Sequence, residues 1–272
     1  MKKPDLIYER YAFFNFSGAL VSRLMAKRLI VEVNEISGHE RVRRQSLKWL
    51  ASFIERYIFR QATMIITVSD FLNSEINTMI DFKNKIITIP NGVPLEWLLS
   101  EPDHEKIEKL RLENNLNGKK IICFIGGLVQ WHNFDLMLDV VCSIHKDIPE
   151  IVLMIVGDGP LREYLKDKIQ KLPSGHDFVL MIGNVPHHEI PLYISLSDVA
   201  IIPETNNFRS PIKMFEYMAL AKPVIAPHMP AIQVAIDDGK DGVLFEPGNC
   251  EDMKAALIQV LADPERAQEL GI

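Results

Sequence analysis

Asn206-Asn-Phe-Arg-Ser-Pro-Ile-Lys-Met-Phe-Glu-Tyr-Met-Ala-Leu-Ala-Lys-Pro-Val-Ile-Ala226 decides the fold class of this chain. Ser210 suits an N-cap and Pro211 the first helical position, and Met214, Phe215, Met218 and Ala219 recur as on a helix buried along one side. A helix is therefore predicted to open at Ser210. It follows the apolar run Val199-Ala-Ile-Ile202 and precedes Pro223-Val-Ile-Ala226, giving the strand, loop, helix, strand unit that builds parallel sheets. Free amides of the first turn and the positive end of the helix dipole favour an anion at its mouth, and Lys213 adds a full charge. Glu216, three residues on, is placed to accept hydrogen bonds from sugar hydroxyls beyond a bound phosphate.

The same alternation of strand and helix runs outward in both directions. Towards the N-terminus, strands are expected at 5–8, 29–33, 64–68 and 85–89, with helices at 17–28 and 41–61 and a turn at Pro90-Asn91-Gly92. Between Pro94 and Gly118 the chain becomes charged and helical, with few core-forming residues, and a linker region is expected over 98–117. After it, strands are predicted at 120–125, 151–156 and 178–182, alternating with helices at 134–145, 161–169 and 188–196. The quoted unit follows, and then a helix at 232–236, a strand at 242–245 and a helix at 251–262. Residues 118–272 thus read as a complete doubly wound domain and residues 1–97 as an incomplete one.

Glycines punctuate the strand ends of the second domain. Gly126-Gly127, Gly157-Asp-Gly-Pro160 and Gly183 each end a predicted strand, on the carboxyl edge where open α/β sheets bind ligands. None forms GxGxxG, so a nicotinamide or flavin site is not expected, and no GxxxxGK[ST], HExxH, GxSxG or CxxC motif is present. His187-His188-Glu189 falls short of a metal cluster because adjacent helical residues point to different faces. Asp237-Asp-Gly-Lys-Asp-Gly242 lacks the glutamate that would close a calcium loop, and reads as a polar turn. No metal and no cofactor are expected.

Of 272 residues, 47% are hydrophobic and 24% charged, as in ordinary soluble proteins. Cys123, Cys142 and Cys250 lie far apart and read as buried thiols of a reducing compartment. No apolar run reaches a membrane span of about 20 residues, and a cytoplasmic location is expected. The net charge of −6 conceals an asymmetry: residues 1–60 carry +6 and the remainder −12. Arg41, Arg43, Arg44 and Lys48 cluster before an amphipathic run, which fits a solvated helix face, or a surface that touches anionic lipid or an anionic acceptor. Nothing calls for nucleic acid.

Taken in order, Pro4-Asp-Leu-Ile-Tyr-Glu-Arg10, Val31-Glu-Val-Asn-Glu35, Val68-Ser69, Ile89-Pro-Asn-Gly-Val93, Phe124-Ile-Gly-Gly127 with Trp131-His132, Val156-Gly-Asp-Gly-Pro160 and Ser210-Pro-Ile-Lys-Met-Phe-Glu-Tyr-Met-Ala219 with Lys222-Pro-Val-Ile225 carry a resemblance. The chain resembles the retaining glycosyltransferases of the GT-B fold, family 4, along nearly its whole length. The resemblance implies an α/β GT-B-like chain of two Rossmann-like domains, the second holding a nucleoside-diphosphate sugar of UDP or GDP type, with a glycan or lipid-linked acceptor. It also implies Glu216 on the ribose hydroxyls, Ser210 and the amides of Ile212 and Lys213 on the diphosphate, and Gly183 and Asn184 beside the base. Gly126 and Gly127 would admit the distal phosphate, so the catalytic candidates are Glu216, Lys213 and His132.

The departures from the pattern are specific. Where many relatives carry an Arg and a Lys after the first strand of the second domain, this chain has Gly127 and His132. Phe208 stands where a first Glu is common, eight residues before Glu216, leaving its role vacant or taken by Glu204. Asn34 falls where many relatives have a His. The family's opening strands are expected before Met1 and its closing helix after Ile272, so the chain is expected to be truncated at both ends. A non-catalytic nucleotide-binding or partner subunit is the alternative function.

Overall fold

The computed structural model describes residues 4–38, 47–80, 85–99, 102–172 and 177–271. It divides into two compact units, one of residues 1–91 with 206–210 and one of residues 92–205 with 211–272.

The first unit is a four-stranded parallel sheet in the order β1 (Leu6–Arg10), β2 (Arg28–Val33), β3 (Met64–Thr67), β4 (Ile86–Thr88). Its helices are α1 (Ser17–Met25), α2 (Lys48–Gln61) and α3 (Asp70–Ile80). The expected helix at 41–61 is seen from Lys48 onward. Arg41, Arg43 and Arg44 lie outside the described residues, and only the backbone of Lys48 is placed. Because the strands advance in one direction, right-handed crossovers put every helix on one face. Leu29, Val31, Val33, Ile65 and Ile86 point to that face and join Ala19, Ile58, Phe59, Leu72 and Ile76 in a single core. The register sends Tyr8, Ile30, Met64, Ile66 and Ile87 to the opposite face, where Tyr8 and Ile87 stand exposed. Parallel sheets are normally covered on both faces. Among the described residues this one is covered on one.

The stretch 206–210 belongs to this unit because Phe208, 4% exposed, is part of its core. The Ser69 hydroxyl donates to the Phe208 carbonyl at 2.8 Å, and the Asn91 side chain donates to the Ser210 carbonyl at 2.7 Å.

The second unit is a six-stranded parallel sheet, β10-β9-β8-β5-β6-β7. Its strands are β5 (Lys120–Ile125), β6 (Ile151–Val156), β7 (Val179–Gly183), β8 (Val199–Ile201), β9 (Val224–Pro227) and β10 (Val243–Phe245). This is the doubly wound order, whose switch point falls between β5 and β8. Helices α6 (Phe134–Asp147), α7 (Arg162–Gln170), α11 (Cys250–Ala262) and α12 (Pro264–Leu270) cover one face, and α8 (Ile190–Leu196), α9 (Ile212–Ala219) and α10 (Pro230–Gln233) the other. The central strand β6 is buried at every position, as a strand packed on both faces must be.

The helix expected within the 98–117 linker region is α5 (His104–Glu113), which follows a short α4 (Leu95–Leu99) and inserts Ile107 and Leu110 into the second core. Its high charge lies on the solvent side, which is what thinned the apolar signal. Cys250 is exposed, unlike Cys123 and Cys142, because it opens α11 directly after the cap Asn249. Helix α12 was not foreseen; Asp263 caps it by accepting the Arg266 amide at 3.0 Å.

Candidate active site

The helix predicted at Ser210 begins two residues later. Pro211 occupies the N-cap with an extended backbone, and α9 starts at Ile212 with no side-chain cap. Ser210 does not cap it, because the Ser210 hydroxyl accepts the Asn91 amide at 3.0 Å instead. The Met214 amide donates to the Pro211 carbonyl at 3.1 Å, while among the described residues no side chain caps the amides of Ile212 and Lys213, which stay available to an anion.

Two contacts set α9 against the end of β5. The Ile125 amide donates to the buried Tyr217 hydroxyl at 2.8 Å. One turn earlier, the Lys213 ammonium lies 3.9 Å from the centroid of the Phe124 ring and 3.1 Å from His132 Nε2. Gly126 makes room for it: a Cβ there would stand 2.7 Å from Lys213 Nζ, and its φ of +137° is one that side-chain-bearing residues rarely adopt. Gly157, with φ +136°, lets the next loop close on the first, since a Cβ would collide with the Gly126 carbonyl at 2.0 Å.

Burial of the Lys213 ammonium beneath these groups lowers its pKa to about 7, with Glu216 opposing the shift. His132 is buried, and its Nδ1 lies 3.0 Å from the Glu204 carbonyl. A carbonyl can only accept, so Nδ1 carries the proton and Nε2 offers its lone pair to the ammonium. A buried cation is thereby held by a ring face and a neutral imidazole. Among the described residues it has no formal counterion in direct contact, which suits it to a charged ligand.

Glu216 is 7% exposed, and burial raises its carboxyl pKa, opposed by His187 and Lys213. Its Oε1 meets His187 Nε2 at 3.3 Å, and the His187 ring in turn lies 5.1 Å from that of Trp97. A cavity of about 400 Å³ opens here, lined by Gly126, Gly127, Asp158, Asn184, His187 and Glu216 among others. It sits at the carboxyl ends of β5, β6 and β7. Gly183, with φ +86°, ends β7 and directs Asn184 towards it.

The structure therefore gathers Gly126, Gly127, Gly183, Asn184, Lys213, Glu216 and His132 around one sheet edge. Ile212, about half exposed, opens α9 beside them, while Ser210 is held in the first unit. Phe208 is a core residue of that unit, so no carboxylate stands at its position. Sequence reasoning missed His187 as a partner of Glu216. In the sequence His187 stands out only within a His-His-Glu run, and its signal is its place on the loop after β7, on the same sheet edge as Glu216.

A doubly wound unit with glycine loops at its carboxyl edge, together with a second α/β unit, is the pair of units found in the GT-B class of glycosyltransferases. Solved structures of that class share the fold. Anabaena HepE in complex with UDP aligns with a TM-score of 0.80 at 18% identity, covering 98% of this chain and 71% of that one. Sucrose-phosphate synthase from Thermosynechococcus elongatus aligns with a TM-score of 0.78 at 20% identity, covering 98% and 67%. The family Glycosyl transferases group 1 matches residues 106–272, and Glycosyltransferase Family 4 matches residues 1–97. The chain belongs to the group 1 glycosyl transferases. An uncharacterised glycosyltransferase of Methanocaldococcus jannaschii is 25% identical over 98% of this chain and 68% of its own length. A GDP-mannose-dependent phosphatidylinositol monomannoside mannosyltransferase of Mycolicibacterium smegmatis is 24% identical over 94% and 66%. The chain spans about two thirds of the length of these relatives.

Proposed function

We propose that the second unit holds a nucleoside-diphosphate sugar, of UDP or GDP type, and that the protein transfers the sugar with retention to a glycan or lipid-linked acceptor. The observation that carries this proposal is the buried Lys213 ammonium, placed between Gly126 and the mouth of α9 with Glu216 one turn further on. In the proposed complex Glu216 accepts from the ribose hydroxyls and Asn184 lies beside the base. The amides of Ile212 and Lys213, the Gly127 amide and the Lys213 ammonium take up the charge that develops on the departing diphosphate. That set of donors asks for no metal. UDP complexes of HepE and a GDP-mannose-dependent relative support the ligand class.

The test is transfer and hydrolysis of radiolabelled UDP-glucose and GDP-mannose, with and without lipid extract as acceptor. Lipid-dependent turnover, abolished in Lys213→Met, is expected. The alternative of a nucleotide-binding partner subunit draws on Phe208, which puts a core side chain where the family often has a carboxylate. Tight nucleotide binding with neither transfer nor hydrolysis would favour it.

We also propose that the first unit touches a membrane surface peripherally. No helix among the described residues is long and apolar enough to cross a membrane. On α2, however, Trp49, Phe53, Arg56 and Arg60 share the solvent face, with Trp49 73% and Phe53 70% exposed. Large apolar side chains with arginines on one helical face form the pattern of an interfacial helix.

A further inference from the structure

A second concavity of the second unit, about 640 Å³, lies beyond His132 from the cavity described above. It is lined by Gln130, Trp131, Asn133, Asp135, Tyr164 and Glu204, with Phe134 and Leu161 at its apolar side. Trp131 belongs to a single 3-10 turn after β5, Asn133 caps α6, Tyr164 lies in the first turn of α7, and Glu204 is on the loop after β8. Four segments thus converge on the same carboxyl edge of the sheet.

We propose that this groove is a saccharide subsite that receives a pyranose ring of a glycan, separate from the nucleotide cavity. Its lining has the two chemistries a pyranose presents. One flank of a sugar ring is a patch of C–H groups carrying slight positive charge, which suits the electron-rich face of an indole or phenol. Its rim is a circle of hydroxyls, each both donor and acceptor, which carboxylates and amides bind with fixed geometry.

The polar groups are oriented for this. Asn133 Oδ1 accepts the Leu136 amide, which leaves its Nδ2 as a donor. Asp135 accepts from the Tyr164 hydroxyl at 2.9 Å and from Lys168 at 2.8 Å, so its carboxylate and the phenol ring are locked together before any ligand arrives. Glu204 is partly buried, and its desolvated carboxyl group has a raised pKa. An acidic carboxyl withdrawn from water beside an indole gains most from a hydroxyl donor that replaces lost hydration. The volume suits one or two sugar rings and falls within the range of small-molecule sites, about 300–1,000 Å³.

His132 connects a lining residue of the groove with the proposed anion site. His132, which holds Lys213 on one side, meets the Glu204 carbonyl on the other, and the rings of Trp131 and His132 lie 6.0 Å apart. A sugar seated against Trp131 would therefore lie next to the group that anchors the proposed diphosphate. The link to transfer rests on the donor reading given above; the binding of a sugar does not.

The test is saturation-transfer NMR of the whole chain with the methyl α-pyranosides of glucose, mannose, galactose and N-acetylglucosamine, in the absence of nucleotide. Transfer to at least one of them is expected. It should fall at least fivefold in Trp131→Ala, while the affinity for UDP, GDP or ADP, measured separately, stays within twofold. Since Trp131 is partly buried, Gln130→Ala and Tyr164→Phe provide milder checks, and at least one should halve the transfer in a protein whose circular dichroism is unchanged. No transfer from any of the four sugars to the folded wild-type chain would overturn the proposal. Transfer that survives all three substitutions would overturn it too. Loss of nucleotide binding in the wild-type chain with sugar binding intact would overturn the donor site and leave this subsite standing.

Discussion

Replacing Lys213 by methionine should make the protein more stable and a poorer ligand for diphosphates, and the two effects should have opposite pH dependence. In the folded, unliganded protein burial brings the Lys213 pKa down from 10.5 to about 7. Between those values the unfolded chain binds the extra proton and the folded one does not, so this residue makes stability rise with pH by about 1.4 kcal/mol per unit. Below pH 7 both forms are charged and the full burial penalty remains, at most about 5 kcal/mol and reduced by local relaxation. Lys213→Met should therefore raise the melting temperature at pH 6.5 and gain little at pH 10. Lys222, also shifted down by burial, adds a slope of the same sign in both proteins, which cancels in their difference.

Binding runs the other way. A diphosphate beside Lys213 restores its charge, so at pH 7.5 about three quarters of a proton should be taken up on binding. The phosphates are by then largely ionised, their second pKa being about 6. Affinity should accordingly fall nearly tenfold per unit between pH 7.5 and 9, and the slope should vanish in Lys213→Met. Calorimetric titration of nucleoside diphosphate in buffers of different ionisation enthalpy reads the proton uptake directly. Zero uptake with a flat profile over that range would refute the assignment of Lys213 to the diphosphate.

Three further outcomes are expected. Gly126→Ala should drive a methyl group against Lys213 and impose strain at φ +137°. A stability loss of about 1–3 kcal/mol with weakened diphosphate binding should follow, and an unchanged melting temperature would contradict the crowding. Saturating EDTA should leave the dissociation constant of the nucleoside diphosphate within twofold, whereas a large rise would mean that a metal shares the site. Trp49→Ser with Phe53→Ser should abolish cosedimentation with vesicles containing phosphatidylglycerol, and retained binding would remove α2 from the membrane contact.

The order of strands and helices was legible because parallel strands buried on both faces leave unbroken apolar runs. β5 and β6 were bounded correctly at Lys120–Ile125 and Ile151–Val156. Gly126 and Lys213 could be singled out from the sequence, since a glycine at a strand end and a lysine after a proline-marked helix start each have a local physical cause, and the structure brings the two together. What escaped the sequence depends on distant partners. Ser210 carries the chemistry of a cap, yet Asn91, 119 residues away, captures its hydroxyl. Nothing local announces that His187 will face Glu216, or that α5 hides Ile107 under a charged surface. The helical covering on one side of the first sheet is likewise a property of strand order, which periodicity alone does not reveal.

The most direct measurement is calorimetric titration of the chain with UDP, GDP and ADP, alongside Glu216→Ala. Selective binding of one diphosphate is expected. The alanine variant should weaken it by roughly tenfold to a hundredfold, the worth of about 1.5–3 kcal/mol in hydrogen bonds to a charged carboxylate. A folded chain that binds none of the three, or binds one equally well without Glu216, would contradict the donor site at its foundation.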